Sequence, residues 1–297
     1  MSDKISIVIL NWNQYDFTSE CLRSLKGLTY PWYDIWVVDN ASEDGSYERL
    51  GRDFPEAKLI QNSKNLGVAG GRNAGVRQVL ENSPESKYIL MLDNDTVVEP
   101  NLLGELVKIA EKDERIGLVT CKVVFYDNPG IINAAGIHFY PIIFHARARG
   151  GGKTDDGRWD RAREVYATPG CVQFIRSSVF RTVGLYDIAF SPNGPEDWEF
   201  GLRARKYGYK AFYTPATRVL HKLSAKYKKN PRHTYNITKA NIIFMRKYCG
   251  WYQIWIAFLF FLVHRSIRQI IPFLCSRSYE KIGACFRGVR DGLRFEI

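Results

Sequence analysis

The sequence predicts a parallel α/β sheet followed by a helical, basic and apolar tail. Short apolar runs alternate with stretches of helical spacing through the first hundred residues, the signature of strand–helix–strand units. Three of those runs end in polar clusters rich in Asn and Asp. Charge is also divided unevenly: residues 201–297 hold 20 Lys/Arg against 3 Asp/Glu, a net +17, and residues 1–200 hold 22 against 28, a net −6. With 45% hydrophobic and 25% charged residues, the 297-residue chain has the composition of a folded protein that buries one large core or two modest ones.

Residues 5–10 form a short run rich in β-branched side chains, closed by Asn11-Trp12-Asn13, and read as a buried strand. Residues 16–25 place Phe17, Cys21, Leu22 and Leu25 on one side of a helix. A second strand at 35–38 ends at Asp39-Asn40-Ala41-Ser42, followed by a helix near 45–54 and a strand around 58–61. Residues 73–81 read as helix and 88–92 as a strand running into Asp93-Asn94-Asp95. In such sheets ligands collect at the carboxyl ends of the strands, so the three polar clusters should converge there. From 120 to 215 the pattern is less regular: a loop at 150–157, a strand at 172–175, helices at 177–183 and 196–207, and a strand at 210–214.

After Asn230 the character changes. Residues 254–263 are ten consecutive apolar residues preceded by Trp251 and Tyr252, short of the roughly 20 a spanning helix needs. Beyond them Ile267, Ile270, Ile271 and Leu274 recur at helical spacing. This predicts an in-plane or shallowly inserted anchor, with a catalytic domain over 1–230 and a membrane-associating region over 231–297. Six scattered cysteines without a C-x-x-C pair argue against a disulfide framework or a zinc site and for a reducing compartment. With no secretory signal pattern at the N-terminus, the expected place is the cytoplasmic face of the cell membrane, peripheral or monotopic.

Asp93-Asn94-Asp95 at the end of an apolar strand is the sharpest chemical signal. A departing nucleoside diphosphate carries negative charge that Mg²⁺ or Mn²⁺, held by one or two carboxylates and phosphate oxygens, neutralises. Asp39, ending the second strand, is placed to accept from a pyrimidine ring N–H, which selects uracil or thymine over cytosine. The glycine-rich stretch from Asn65 to Gly75 leads into a helix whose backbone can approach a ligand, with Arg72 pairing phosphate or stacking on the base. Its spacing matches neither the phosphate-loop nor the dinucleotide fingerprint. Pro195-Glu196-Asp197-Trp198-Glu199 carries more acid than a helix start needs. Asp197 is the expected general base and Glu199 the reserve, with Trp198 and Glu196 near the donor or acceptor sugar. His221 is placed to complete a metal site with Asp95.

The ordered set formed by Val8 to Asn13, Val37 to Ser42, Asn65 to Gly75, Leu92 to Thr96, Thr168-Pro169-Gly170-Cys171, Val183 to Asp187, Glu196-Asp197 with Arg203, and Val219-Leu220-His221-Lys222 resembles family 2 glycosyltransferases, their rhamnosyltransferase-like branch in particular. The resemblance covers about residues 4–250. It implies a GT-A fold with a Rossmann-like mixed sheet, a nucleoside-diphosphate sugar donor (UDP- or dTDP-), and inversion by in-line attack of an acceptor hydroxyl. It also implies that Asn11, Asp39, Arg72 and Asp93 hold the nucleotide, Asp95 the metal, Asp197 the acceptor proton, and that His221 lies near metal or diphosphate. Here Glu196-Asp197-Trp198-Glu199 stands where relatives often carry E-D-x-D. A basic apolar tail suits a lipid-linked acceptor. The alternative is a non-catalytic module that binds a sugar nucleotide or glycan on the same fold, which Asp93, Asp95 and Asp197 disfavour. The missing G-x-G-x-x-G disfavours an NAD-dependent oxidoreductase, and basic residues clustered beside an apolar segment disfavour a nucleic-acid binder.

Overall fold

The structure is a computed structural model that describes residues 3–192, 194–222 and 230–297. Apolar residues alternate along its first strand: Ile5, Ile7 and Ile9 enter one buried cluster and Val8 the other. That period of two is what a strand covered on both faces requires. The elements follow in order as β1 (Lys4–Asn11), α1 (Tyr15–Leu25), β2 (Tyr33–Asp39), α2 (Ser46–Asp53), β3 (Lys58–Gln61), α3 (Gly67–Asn82), β4 (Ser86–Asp93), β5 (Thr96–Val98) and α4 (Leu102–Ala110). After these come β6 (Ile116–Phe125), β7 (Asn128–Ala134), the hairpin of β8 (Ile137–Tyr140) and β9 (His145–Ala148), β10 (Arg163–Val165) and β11 (Val172–Arg176). The chain continues through α5 (Ser177–Val183), α6 (Glu196–Lys206) and β12 (Lys210–His221) into the tail helices α7 (Pro231–Tyr248), α8 (Gln253–Arg265), α9 (Ile271–Cys275) and α10 (Tyr279–Arg294).

Among the described residues ten strands form one sheet in the order β10-β12-β6-β11-β4-β1-β2-β3, with β5 on β12 and β7 on β6. β3, β2, β1 and β4 run parallel, as the sequence predicts, whereas β11 enters antiparallel between β4 and β6. The sheet is therefore mixed. One face is covered by a cluster including Leu22, Leu50 and Leu106 of α1, α2 and α4, and the other by Val76, Phe180 and Phe200 of α3, α5 and α6. Each fully buried residue of this size contributes about 1.5–3 kcal/mol relative to exposure.

Two sequence expectations are corrected. The glycine-rich stretch is not a ligand-facing turn but the first half of α3, and its glycines let that helix lie against the sheet. A Cβ on Gly71 would sit 2.4 Å from Leu10 Cδ1, and one on Gly75 would sit 2.4 Å from Val8 Cγ1. The last strand does not stop at Thr214. Its register with β6 shifts between Thr214 and Arg218, where Pro215 cannot donate to the ladder, and the strand then resumes to His221. Two elements went unread in the sequence: the ten-residue strand β6, which runs into the irregular stretch, and before it the helix α4, whose Leu102, Leu103, Leu106 and Ile109 carry ordinary helical spacing.

The chain divides into two compact units. One contains residues up to His138, Arg147–Tyr186 and Asp197 onward to the end of β12; the other contains Phe139–Ala146, Asp187–Glu196 and the tail. In the second unit α8 packs on α7 through Ala257 and Phe261 against Ile242 and Met245. No helix among the described residues is long and apolar enough to cross a membrane.

Candidate active site

The parallel registers set Asn11 beside Asp39 and Leu10 beside Asp93, so three strand ends meet at one edge. Asn11 is fully buried, and its amide is engaged on both sides. Its Oδ1 accepts from the Thr18 hydroxyl at 2.7 Å, and its Nδ2 donates to Asp39 Oδ2 at 2.8 Å and Ser42 Oγ at 3.1 Å. Asn11 thus orients Asp39, a contact the sequence did not announce. Asp39 is 1% exposed and its Oδ1 accepts from the Ser42 N–H at 2.9 Å. Above it, Asn13 and Ala41 hold left-handed backbone (φ 52° and 62°), and Ser42 Oγ accepts from the Asn13 N–H at 2.9 Å. Non-glycine residues in that region store strain, which concentrates here at the sheet edge.

Asn94, the middle residue of the acidic triplet, turns inward. Its Nδ2 donates to Thr18 Oγ1 at 2.9 Å and Gln14 Oε1 at 3.0 Å. A network therefore runs from Asp39 through Asn11 and Thr18 to Asn94. Sequence reasoning missed Thr18 and Asn94, and the only signal was an amide lying between two acids. The flanking carboxylates are left partly exposed: Asp95 Oδ1 lies 3.2 Å from His221 Nε2, whose Nδ1 lies 3.2 Å from Asn133 Oδ1. One ligand atom from each of Asp93, Asp95 and His221 falls within 4.8 Å of the others. Two carboxylates and an imidazole within that distance make a donor set of oxygen and nitrogen that fits Mg²⁺ or Mn²⁺. Burial works against a charged His221, while the Cys171 sulfur and then the Asp95 carboxylate favour it, pushing its pKa up to about 11. A cation held by the same groups would take that proton's place.

Arg72 comes from α3 beneath the site and is 4% exposed. Its Nη2 donates to Asp93 Oδ1 at 2.7 Å and to the Gly170 carbonyl at 2.9 Å, and its guanidinium lies over the Tyr186 ring. Arg72 thus fixes Asp93 and the turn at Gly170. The same turn reaches Asp197, whose Oδ2 accepts from the Gly170 N–H at 2.8 Å while its Oδ1 accepts from the Trp198 N–H at 3.0 Å. A Cβ on Gly170 would lie 3.3 Å from both Arg72 Nη atoms and from Asp197 Oδ2, so guanidinium and carboxylate are near neighbours. Burial raises the Asp197 pKa to about 6 against the lowering effect of Arg72. Asn73, one residue on, exchanges two hydrogen bonds with the backbone of Tyr186 (2.8 and 2.9 Å), a tie no sequence pattern announced.

The remaining acids separate. Glu199 is fully buried and paired with Arg203, which also donates to the Val183 and Leu185 carbonyls. It anchors α6 and offers no open carboxylate, so it does not serve as a reserve base. Glu196 accepts from the Gly194 N–H at 3.0 Å inside the second unit. Trp198 is half-buried at the start of α6.

The sequence model of Glycosyl transferase family 2 matches residues 6–180, and the chain belongs to that family. The O-antigen biosynthesis protein RfbC of Myxococcus xanthus is 27% identical over 231 residues, 75% of this chain and 17% of that protein. The poly-beta-1,6-N-acetyl-D-glucosamine synthase of Staphylococcus epidermidis is 26% identical over 45% of this chain and 30% of its own length. The chain thus spans under a third of either relative. The N-acetylglucosaminyl-diphospho-decaprenol L-rhamnosyltransferase of Mycobacterium tuberculosis is 22% identical over 85% of this chain and 88% of that one. Among solved structures, GalNAc-T7 with UDP, GalNAc and Mn²⁺ superposes with a TM-score of 0.65 at 17% identity, covering 84% of this chain and 49% of that one. S. aureus TarS 1-349 with UDP-GlcNAc gives 0.62 at 15% identity, over 98% and 81%. These likenesses show a shared GT-A fold.

Proposed function

We propose that this glycosyltransferase moves a sugar from a UDP- or dTDP-sugar to a hydroxyl of a lipid-linked glycan, with inversion, in cell-surface polysaccharide assembly. Its working position under this reading is the cytoplasmic face of a membrane. One observation carries the reading: Asp93, Asp95 and His221 converge on a single point, and the Arg72–Gly170 contacts join that point to Asp197. The Mycobacterium relative, named for a decaprenol-linked acceptor, supports a lipid-linked acceptor here, and GalNAc-T7 with UDP and TarS with UDP-GlcNAc support a UDP donor.

Asp95 and His221, with Asp93 alongside, would hold Mg²⁺ or Mn²⁺, which would supply positive charge for the departing diphosphate. Asp39, oriented by Asn11, accepts from the pyrimidine. Asp197 removes the proton of the acceptor hydroxyl as its oxygen attacks the anomeric carbon from the side opposite the diphosphate. The new glycosidic bond forms as the bond to the diphosphate oxygen breaks, and the electron pair leaves with the nucleotide. A pKa of about 6 suits this role, since the carboxylate is ionised at neutral pH yet more basic than an ordinary aspartate. The test is calorimetry with UDP and dTDP, with and without Mn²⁺, paired with a nucleotide-release screen over UDP- and dTDP-sugars. Metal-dependent binding of one nucleotide is expected. Binding that ignores both the metal and an Asp95→Ala substitution would overturn the reading.

A further inference from the structure

We propose that a row of side chains on the tail helices, Trp251, Trp255, Leu259, Val263, Ile267 and Ile271, seats this chain on an anionic lipid surface with α8 lying in the membrane plane. The inference deepens the membrane-side position proposed above and rests on the second unit alone.

Two rows run along α8, each stepping by four residues. Ala257, Phe261 and Arg265 form the inner row: Ala257 is fully buried, Phe261 packs on the Ile242–Met245 cluster, and Arg265 is buried and donates to Thr238 of α7. This row fixes the helix rotation. The outer row is bare along its whole length, with Trp251 84%, Trp255 73%, Leu259 64% and Ile267 60% exposed. A four-residue row drifts by about 40° per step around a regular helix, because 3.6 residues complete a turn. Here α8 passes into a π turn at Ser266–Ile270, and this wider turn rewinds the drift, so that Ile267, Ile271 and Leu274 remain outside. A contiguous apolar strip of this extent marks an interaction site rather than scattered surface residues.

Charge selects the occupant. Residues 230–279 contain seven Lys/Arg and no Asp/Glu. A second copy would bring basic surface against basic surface, whereas anionic headgroups complement it. The aromatic pair Trp251 and Tyr252 stands at one end, and at the other Arg277 is exposed and Lys281 lies over the Phe273 ring. Aromatic and basic residues at the margins of an apolar strip are the arrangement an interfacial helix uses. The inner row favours lying over spanning, since Arg265 is bound to protein midway along the segment, and no helix among the described residues is long and apolar enough to cross a membrane.

The full chain is sedimented with vesicles of phosphatidylethanolamine and phosphatidylglycerol, and with phosphatidylcholine vesicles. Binding to the anionic vesicles is expected to be at least about tenfold tighter and to weaken with salt. Leu259→Glu and Trp255→Glu should each lower it by about tenfold or more without moving the unfolding midpoint, since both side chains are already exposed. Brominated lipids should quench tryptophan emission from shallow positions, and that quenching should fall in Trp251→Phe. Equal binding by Leu259→Glu, a dimer that Leu259→Glu dissolves, or quenching strongest at the bilayer centre would each overturn the proposal. Nucleotide release with a water-soluble acceptor should be the same in Leu259→Glu, so failure of sugar transfer and failure of lipid binding are read separately.

Discussion

Under the sugar-transfer reading, Asp197 couples catalysis to stability through one carboxyl group. Its folded-state pKa of about 6 lies above the roughly 3.9 of an unfolded aspartate. The folded chain therefore binds this proton more tightly, and the group's favourable contribution, complete below about pH 4, is lost as pH rises through about 6. At pH 7.5 the ionised carboxylate costs the fold on the order of 2 kcal/mol. Asp197→Asn, which keeps an oxygen for the Gly170 N–H, is expected to lower turnover about 10²–10⁴-fold while raising the thermal midpoint at that pH. Wild-type kcat/KM should climb with pH along a limb centred near 6. An Asp197→Asn protein that is inactive but less stable at pH 7.5 would place the ionised carboxylate among the groups that hold the fold. Acids crowding a helix start beyond capping needs singled out Asp197 in the sequence. The bonds by which Asn11 holds Asp39 and Arg72 holds Asp93 were not legible, because the same residue types suit a ligand contact or an internal hydrogen bond.

At the scale of elements, short apolar runs announced β1, β2 and β4, since a strand covered on both faces is apolar at successive positions. β6 escaped because its Thr120 and Lys122 interrupt the apolar run, and Lys122 is buried only by pairing with Asp155 and Asp160 from the distant 150–160 loop. The glycine-rich start of α3 misled for a physical reason: close backbone approach is the same requirement whether the neighbour is a phosphate or a sheet. That difference is measurable. Gly75→Ala forces a methyl against Val8 and Val38, branched side chains with nowhere to turn, and should cost about 1–3 kcal/mol in urea unfolding. Gly104→Ala in α4, where a Cβ meets nothing within 4 Å, should instead stabilise by about 0.5–1 kcal/mol. A tolerated Gly75→Ala would return that helix face to a ligand-binding role.

Across the molecule, the network Asp39–Asn11–Thr18–Asn94 links the end of β2 to the acidic turn after β4. Under the sugar-transfer reading the first is the nucleotide's base contact and the second holds the metal ligands. Linkage then requires that Mn²⁺ tighten UDP binding and UDP tighten Mn²⁺ binding by one common factor, typically about 5–150-fold. Part of that factor comes from the diphosphate touching the ion directly, and part from the protein between the two ends. Thr18→Val isolates the second part. It preserves side-chain shape but removes a hydroxyl that donates to Asn11 Oδ1 and accepts from Asn94 Nδ2. Both buried groups lose a partner, at a cost of about 1–3 kcal/mol. The coupling factor, measured by titrating UDP at fixed Mn²⁺ and the reverse, is expected to fall by about fivefold, within the 0.5–2 kcal/mol that residues between coupled sites carry. A Thr18→Val protein with reduced stability and an unchanged factor would show that the network builds the sheet edge without connecting its two ends.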